Sequence, residues 1–514
     1  MTTAQEVLEQ QPAFANYEPP LSERHAALLE VICHPDGGGQ QRLQAWLDSV
    51  DLKNLDDSFY RLYPFVAERL AEWDPRHPLF GFFRGNSRKT FYTNNLLFHR
   101  AANQMAALQA QDIPVLILKG AALVESRAYR SGLRAMADID FAIPTPELGR
   151  ALDILTPLGL GPDDVATLRD FQHGHTFQDE LGFEYDLHWH VLPHCRDRPE
   201  ANQAFWEASE ELQFHGVSVR CLCPTDSLLQ VCVHGLQYNP FPPVRWIPDS
   251  LALIRQCGPQ LDWSRLAWLA GQTGSTLLLL LALRYLHRRF AAAIPPAAFA
   301  ALEATPISPL EAACLPLEFT PWDARVPWQQ AEPVLQEQLK LQAQRHPHRQ
   351  LLVLLPRDGW TPAQSERCRQ LGGIPIVKAN GLPAEWQPAV QRYIDQNAPQ
   401  LLPALLAFHR QNPGAPATHV TQLNDPATGV WQIVIQSLPP GPNGTPQLRV
   451  IDVYQSPVTP IPVDALLLDA GRYALARPAP SRLGALRTQL AIHNQRIVAG
   501  VIPAWKSEAA APEH

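Results

Sequence analysis

Leu118-Lys119-Gly120-Ala121, Asp138-Ile139-Asp140 and Tyr185-Asp186-Leu187-His188-Trp189-His190 are three pieces of one stretch, residues 118–190, around which the rest of the chain is organised. Side chains two apart on a β-strand share a face, roughly 6 to 7 Å apart. Asp138 and Asp140 therefore look out together, and Asp186, His188 and His190 line one face of their own strand. Apolar residues alternate with these groups (Phe183, Tyr185, Leu187 and Trp189 against Glu184, Asp186 and His188), which marks a half-buried strand. If the two strands are neighbours, three carboxylates meet in one small volume, where they repel unless a cation compensates them. Hard divalent cations with oxygen ligands, Mg²⁺ first, answer that need, and two ions about 3.5 to 4 Å apart can clamp a phosphoryl group. Asp138, Asp140 and Asp186 are thus the expected metal ligands and catalytic residues. A pair of solvated acids on a sheet edge is the ordinary alternative.

Upstream, Ile113-Pro114 opens a continuous apolar run, Val115 to Leu118, the pattern of a strand buried on both faces. Gly120 ends it, and residues 121–129 read as a helix whose N-terminus turns its free N–H groups toward a phosphate. Pro144 stops the Asp138–Asp140 strand; Thr145 as N-cap and Pro146 start the next helix. Residues 175–178 and 183–191 form a hairpin across a turn at 179–182. The alternation of strands and helices predicts a mixed α/β sheet, an α/β (α+β) fold.

These pieces together resemble the nucleotidyltransferases of the DNA polymerase β superfamily, and within it a bacterial group with an L-K-G-A signature. The pattern of an apolar strand with Lys-Gly, then Arg and D-I-D, then D-L-H-W falls here on residues 115–120, Arg134, Asp138 to Asp140, and Asp186 to Trp189. Weaker likeness continues through His234-Gly235 and Arg245 to Asp249, covering about residues 25 to 300. The resemblance implies transfer of a nucleoside monophosphate from an NTP to an acceptor with Mg²⁺, two ions in the full arrangement. It implies nucleotide contacts from Lys119, Gly120 and Arg134, an acceptor-facing set of His188, His234, Arg245 and Asp249, and Asp186 helping to take the acceptor's proton. The wider superfamily has Gly-Ser after the first strand. This chain has Gly120-Ala121 and lacks that hydroxyl, so Lys119 takes the phosphate contact as a point charge.

Each of these residues has a plainer alternative. Lys119-Gly120 is also an ordinary turn, Arg134 an exposed turn arginine, and His188 and His190 sheet-surface residues. His234 fits a helix interface, with Arg245 paired to Asp249 as a structural bridge. Two rival functions stay open. One is a catalytically silent relative that binds nucleotide or a partner protein; the other is a zinc hydrolase using His188, His190 and the acids. The acceptor is open among a sugar, another small molecule, a peptide and a protein side chain.

The chain's 514 residues imply roughly two to four domains. Its 46% hydrophobic and 18% charged content is that of a globular protein. A formal net charge of -8 argues against a partner with a nucleic-acid backbone, which calls for a basic stripe. The first twenty residues carry no signal peptide, and the longest aliphatic run, Leu277 to Leu283, is far short of the about 20 residues that cross a membrane. Eight scattered cysteines without a C-x-x-C pair fit the cytoplasm. The expected organisation is a disordered tail (1–20), an N-terminal helical lobe (21–111), a nucleotidyltransferase core (112–204) and a helical substrate lobe (205–304). Beyond these come a small α/β unit (321–405) and a β-rich accessory module (415–505), together a C-terminal accessory region without a catalytic constellation.

Overall fold

A computed structural model of the chain describes residues 2–356 (except 15, 35–38, 51, 53–56, 127, 131, 159–172, 238–243, 320–326 and 349), 361–380, 417–425, 429–438, 447–456, 466–469 and 476–478. Two compact units divide it, Met1–Ala324 and Arg325–His514.

The first unit is built on a six-stranded mixed sheet of β1 (Leu116–Ile117), β2 (Asp138–Ala142), β3 (Gly174–Gln178), β4 (Glu184–His188), β5 (Glu210–Phe214) and β6 (Val217–Cys221). Their order is β3-β4-β2-β1-β6-β5. The run Val115 to Leu118 is fully buried, as its lack of alternation predicts. It sits at the sheet centre, where β1 runs antiparallel to β2 and parallel to β6. Strand β2 pairs in parallel with β4, placing Asp140 opposite Asp186. On β4, Tyr185 and Leu187 are fully buried on one face while Glu184 and Asp186 on the other are half-buried. This is the alternation visible in the sequence.

The helices of this unit include Glu23–Cys33, Gly39–Ser49, Tyr63–Trp73 and the long Phe80–Gln109 before β1, and Pro224–Leu236, Trp246–Cys257, Trp263–Thr273 and Thr276–Phe290 after β6. Their apolar faces join the sheet in one continuous core running from Ala4 to Leu315. Among the described residues no helix is long and apolar enough to cross a membrane.

Several expectations need correction. The described residues among 1–20 do not form a disordered tail. Ala4–Gln10 is a helix closed by a Thr3/Glu6 capping box, with Ala4, Val7 and Leu8 buried. The Ala4 N–H donates to the Thr305 carbonyl and Thr3 bridges Pro306. The Gln- and Ala-rich composition hides this short i, i+3, i+4 apolar stripe. Residues 210–221 are not part of a helical lobe but an edge hairpin. His215 and Gly216 both adopt positive φ, the two-residue turn that suits a right-twisted hairpin. Thr145 does not cap a helix through its side chain: its hydroxyl donates to the Trp189 carbonyl, and residues 145–147 form a 3-10 turn before the helix Leu148–Leu155.

In the second unit, β7 (Leu351–Pro356), β8 (Ile374–Asn380), β9 (Ala417–Asp425), β10 (Gly429–Leu438), β11 (Gln447–Ser456), β12 (Leu466–Asp469) and β13 (Ala476–Pro478) form one sheet. Its order is β13-β12-β7-β8-β11-β10-β9. The α/β unit and the β-rich module read separately from the sequence thus share a sheet, joined where β8 pairs antiparallel with β11. The sequence predicts a helix over residues 362–371, and one forms at Pro362–Gln370 with Thr361 as its N-cap; β10 and β11 are an antiparallel pair. The sequence also predicts helices at 384–397 and 485–498 and a turn at Asn443-Gly444; these lie outside the described residues.

Candidate active site

The site starts where β1 ends. Leu118 donates its N–H to the Asp140 carbonyl at 3.0 Å, locking β1 to β2. The chain then bends at Lys119, whose φ is +47°, and enters the helix Lys119–Glu125. The left-handed residue is therefore Lys119 and not Gly120, and this helix stops four residues earlier than its sequence pattern suggests. The Lys119 N–H donates to Gln230 Oε1 at 3.2 Å, and the side chain folds back over β2, where Nζ donates to Asp140 Oδ1 at 2.6 Å.

Asp140 is the hub. It is 6% exposed, and the same Oδ1 lies 3.1 Å from His188 Nε2. Burial works to raise this carboxyl, but Lys119 and His188 together outweigh it and hold it well below the usual carboxylate range. Burial likewise opposes the Lys119 ammonium, yet Asp140 first, then Asp186 and Asp138, keep it protonated above its ordinary range. Asp138 points into the pocket beside Asp140; burial first, and then the Asp140 charge, raise its carboxyl.

Asp140, Asp186 and His188 each offer a ligand atom, all within 4.8 Å of one another. Asp186 Oδ1 is buried there without a hydrogen-bond partner. Among the described residues this convergent set takes His188 where the sequence suggested Asp138. Residues 138 and 186 are not opposite one another: Asp138 pairs with Glu184, two residues along each strand from the Asp140–Asp186 pair. His190 lies past the end of β4 and outside the set, its N–H bonded to the His173 carbonyl.

The pocket next to these acids has a cationic wall. Lys119, Arg134 and Arg245 line it, and so does Arg61, from the turn before the helix Tyr63–Trp73. Arg61 was invisible as a site residue in the sequence, because nothing local marks it and only the packing of the helices brings it here. Arg134 is neither exposed nor a loose phosphate ligand. With its partner it is almost fully buried, its Nε and Nη2 fork Asp249 at 2.8 to 3.0 Å, and Tyr129 Oη donates to the same carboxylate at 2.8 Å. The expected Arg245–Asp249 bridge does not form. Arg245 instead donates from Nη1 to the Ala135 carbonyl at 2.7 Å. Burial first, then the charges of Arg134 and Arg61, push its guanidinium down to about 9. His234 is open to the pocket yet enclosed by its walls; the Lys119 ammonium first, and that enclosure, push its imidazole down to about 3. It is neutral at physiological pH.

Gly120 serves a close approach. A Cβ built on it would stand 1.8 Å from Arg134 Nη1, and that guanidinium cannot retreat while Asp249 holds it. Gly120→Ala is expected to cost about 1–3 kcal/mol of stability through overpacking. Urea denaturation checks this, and a variant as stable as wild type would show that Arg134 has room to move. Gly235 plays the same part between helices: its Cβ would stand 2.2 Å from the Trp246 side chain.

No curated protein matches the chain. A crystal structure titled as an antigenic nucleotidyltransferase-like protein from Paracoccidioides brasiliensis aligns at 16% sequence identity, covering 41% of this chain and 94% of that one, with a TM-score of 0.26. Residues 59–291, the span that holds Arg61, Lys119, Asp138, Asp140, Asp186, His188 and Asp249, match the model of a family described as uncharacterised nucleotidyltransferase.

Proposed function

We propose that the protein transfers a nucleoside monophosphate from an NTP to an acceptor, using a divalent cation held at Asp140 and Asp186. One observation carries this reading: two carboxylates face each other across β2 and β4, with a buried and unpartnered Asp186 oxygen, beside a pocket walled by arginines. The donor set fits such an ion, because an orphaned carboxylate oxygen is the group a cation satisfies. When bound, the cation supplies charge neutralisation at the transferring phosphoryl group. Arg61 and Arg245 receive the triphosphate on the cationic wall, and Lys119 adds a point charge where the wider superfamily's hydroxyl is missing. Asp138, lining the pocket with a raised carboxyl, takes the proton of the acceptor hydroxyl. His234, neutral and open to the pocket, orients the acceptor without adding charge.

The test is incubation of the purified chain with each α-phosphate-labelled NTP and MgCl₂ or MnCl₂, with and without cell extract. Label is expected on an acceptor. Absence of transfer from every NTP in the presence of extract, with label nonetheless retained by the protein, would favour the silent nucleotide-binding relative that Ala121 suggests. His188 in the convergent set favours a second reading, a zinc hydrolase with an Asp140, Asp186 and His188 ligand set. Stoichiometric zinc in the purified protein would select it.

A further inference from the structure

The acid cluster already has a cation of its own. Lys119 Nζ sits 2.6 Å from Asp140 Oδ1, the oxygen that His188 Nε2 also contacts, while Asp186 Oδ1 stays unpartnered. The lysine reaches this place through an unusual backbone. Its φ of +47° is a left-handed conformation that a side chain disfavours, and Gln230 steadies it by accepting its N–H. The bend returns the ammonium to β2 rather than sending it out along the helix Lys119–Glu125.

We propose that Lys119 is a built-in competitor for the divalent cation: its ammonium stands at Asp140 in the metal's stead and must leave before an ion is held there. An anion on the cationic wall of the pocket, such as a triphosphate, gives the displaced ammonium its next partner. Metal and nucleotide then help each other to bind, since each relieves the cost the other meets, and linkage makes that help reciprocal. Alone, the ion binds weakly. The inference rests on the metal-dependent reading above.

The experiment is calorimetric titration of MnCl₂, without nucleotide, into the purified full chain and into Lys119→Met, Lys119→Gln and Lys119→Arg, each first checked by thermal unfolding. Removing one like charge beside the ion is expected to tighten Mn²⁺ binding roughly tenfold in the two neutral variants, with Lys119→Arg staying near wild type. Either neutral variant suffices should the other fail to fold. Equal or weaker Mn²⁺ binding by the neutral variants, or equal tightening in Lys119→Arg, overturns the inference and leaves the metal reading standing. No Mn²⁺ binding by any of the four proteins overturns both.

Discussion

Asp140→Asn is expected to lower nucleotidyl transfer by roughly two to three orders of magnitude, the scale seen when a charge-stabilising group is removed from a reaction centre. The amide keeps the size of the side chain and loses the charge that holds Lys119 and His188 at one oxygen. The buried ammonium is then left beside a neutral group, a loss on the order of 2–3 kcal/mol, below the full cost of an orphaned ion because Asp186 and Asp138 still attract it. The pH dependence carries a sign. A carboxyl held below its ordinary range contributes stability that is complete above the unfolded carboxylate pKa of about 4 and fades as pH falls through the folded value. The stability gap between wild type and Asp140→Asn should therefore be constant from pH 5 to 7 and narrow below about pH 4. Label transfer and urea melts across that range check both halves. Wild-type transfer by the variant would remove Asp140 from the reaction.

Asp249→Ala should be the most destabilising single change in the helical wall of the site, by about 3–5 kcal/mol, because it strands Arg134 and the Tyr129 hydroxyl in the interior. The double variant Asp249→Ala/Arg134→Met removes both charges, and it should recover most of that loss. Chemical denaturation of the four proteins of the cycle measures the coupling. If Asp249 mainly grips the acceptor, the single variant keeps wild-type stability and only its KM for the acceptor rises. That outcome would restore the role its sequence neighbourhood suggested. The geometry argues for the structural one: both oxygens of Asp249 are already engaged, by a bidentate arginine and a phenol.

How far each feature could be read ahead follows from how local its cause is. Alternation is written in adjacent residues, so β2 and β4 and the shared outlook of Asp138 and Asp140 were legible in the chain itself, as was the fully buried Val115 to Leu118. The amphipathic helix Ala4–Gln10 was equally local, and composition alone misled there. A bend is less legible: the sequence marked Gly120 as the end of the strand, but the positive φ falls on Lys119 under the hold of Gln230, and the glycine makes room for Arg134.

The sequence by itself determined the strands around the acidic residues, the mixed α/β class and the choice of acids around which a site forms, because the periodicity of side chains needs only near neighbours. Tertiary structure alone decided which charges meet. It set Asp140 opposite Asp186, brought His188 into the convergent set, gave Asp249 to Arg134 rather than to Arg245, and carried Arg61 into the pocket. The physical reason is that a charged group takes the partner that strand register and helix packing place within reach, and those placements are made by contacts far apart in the chain.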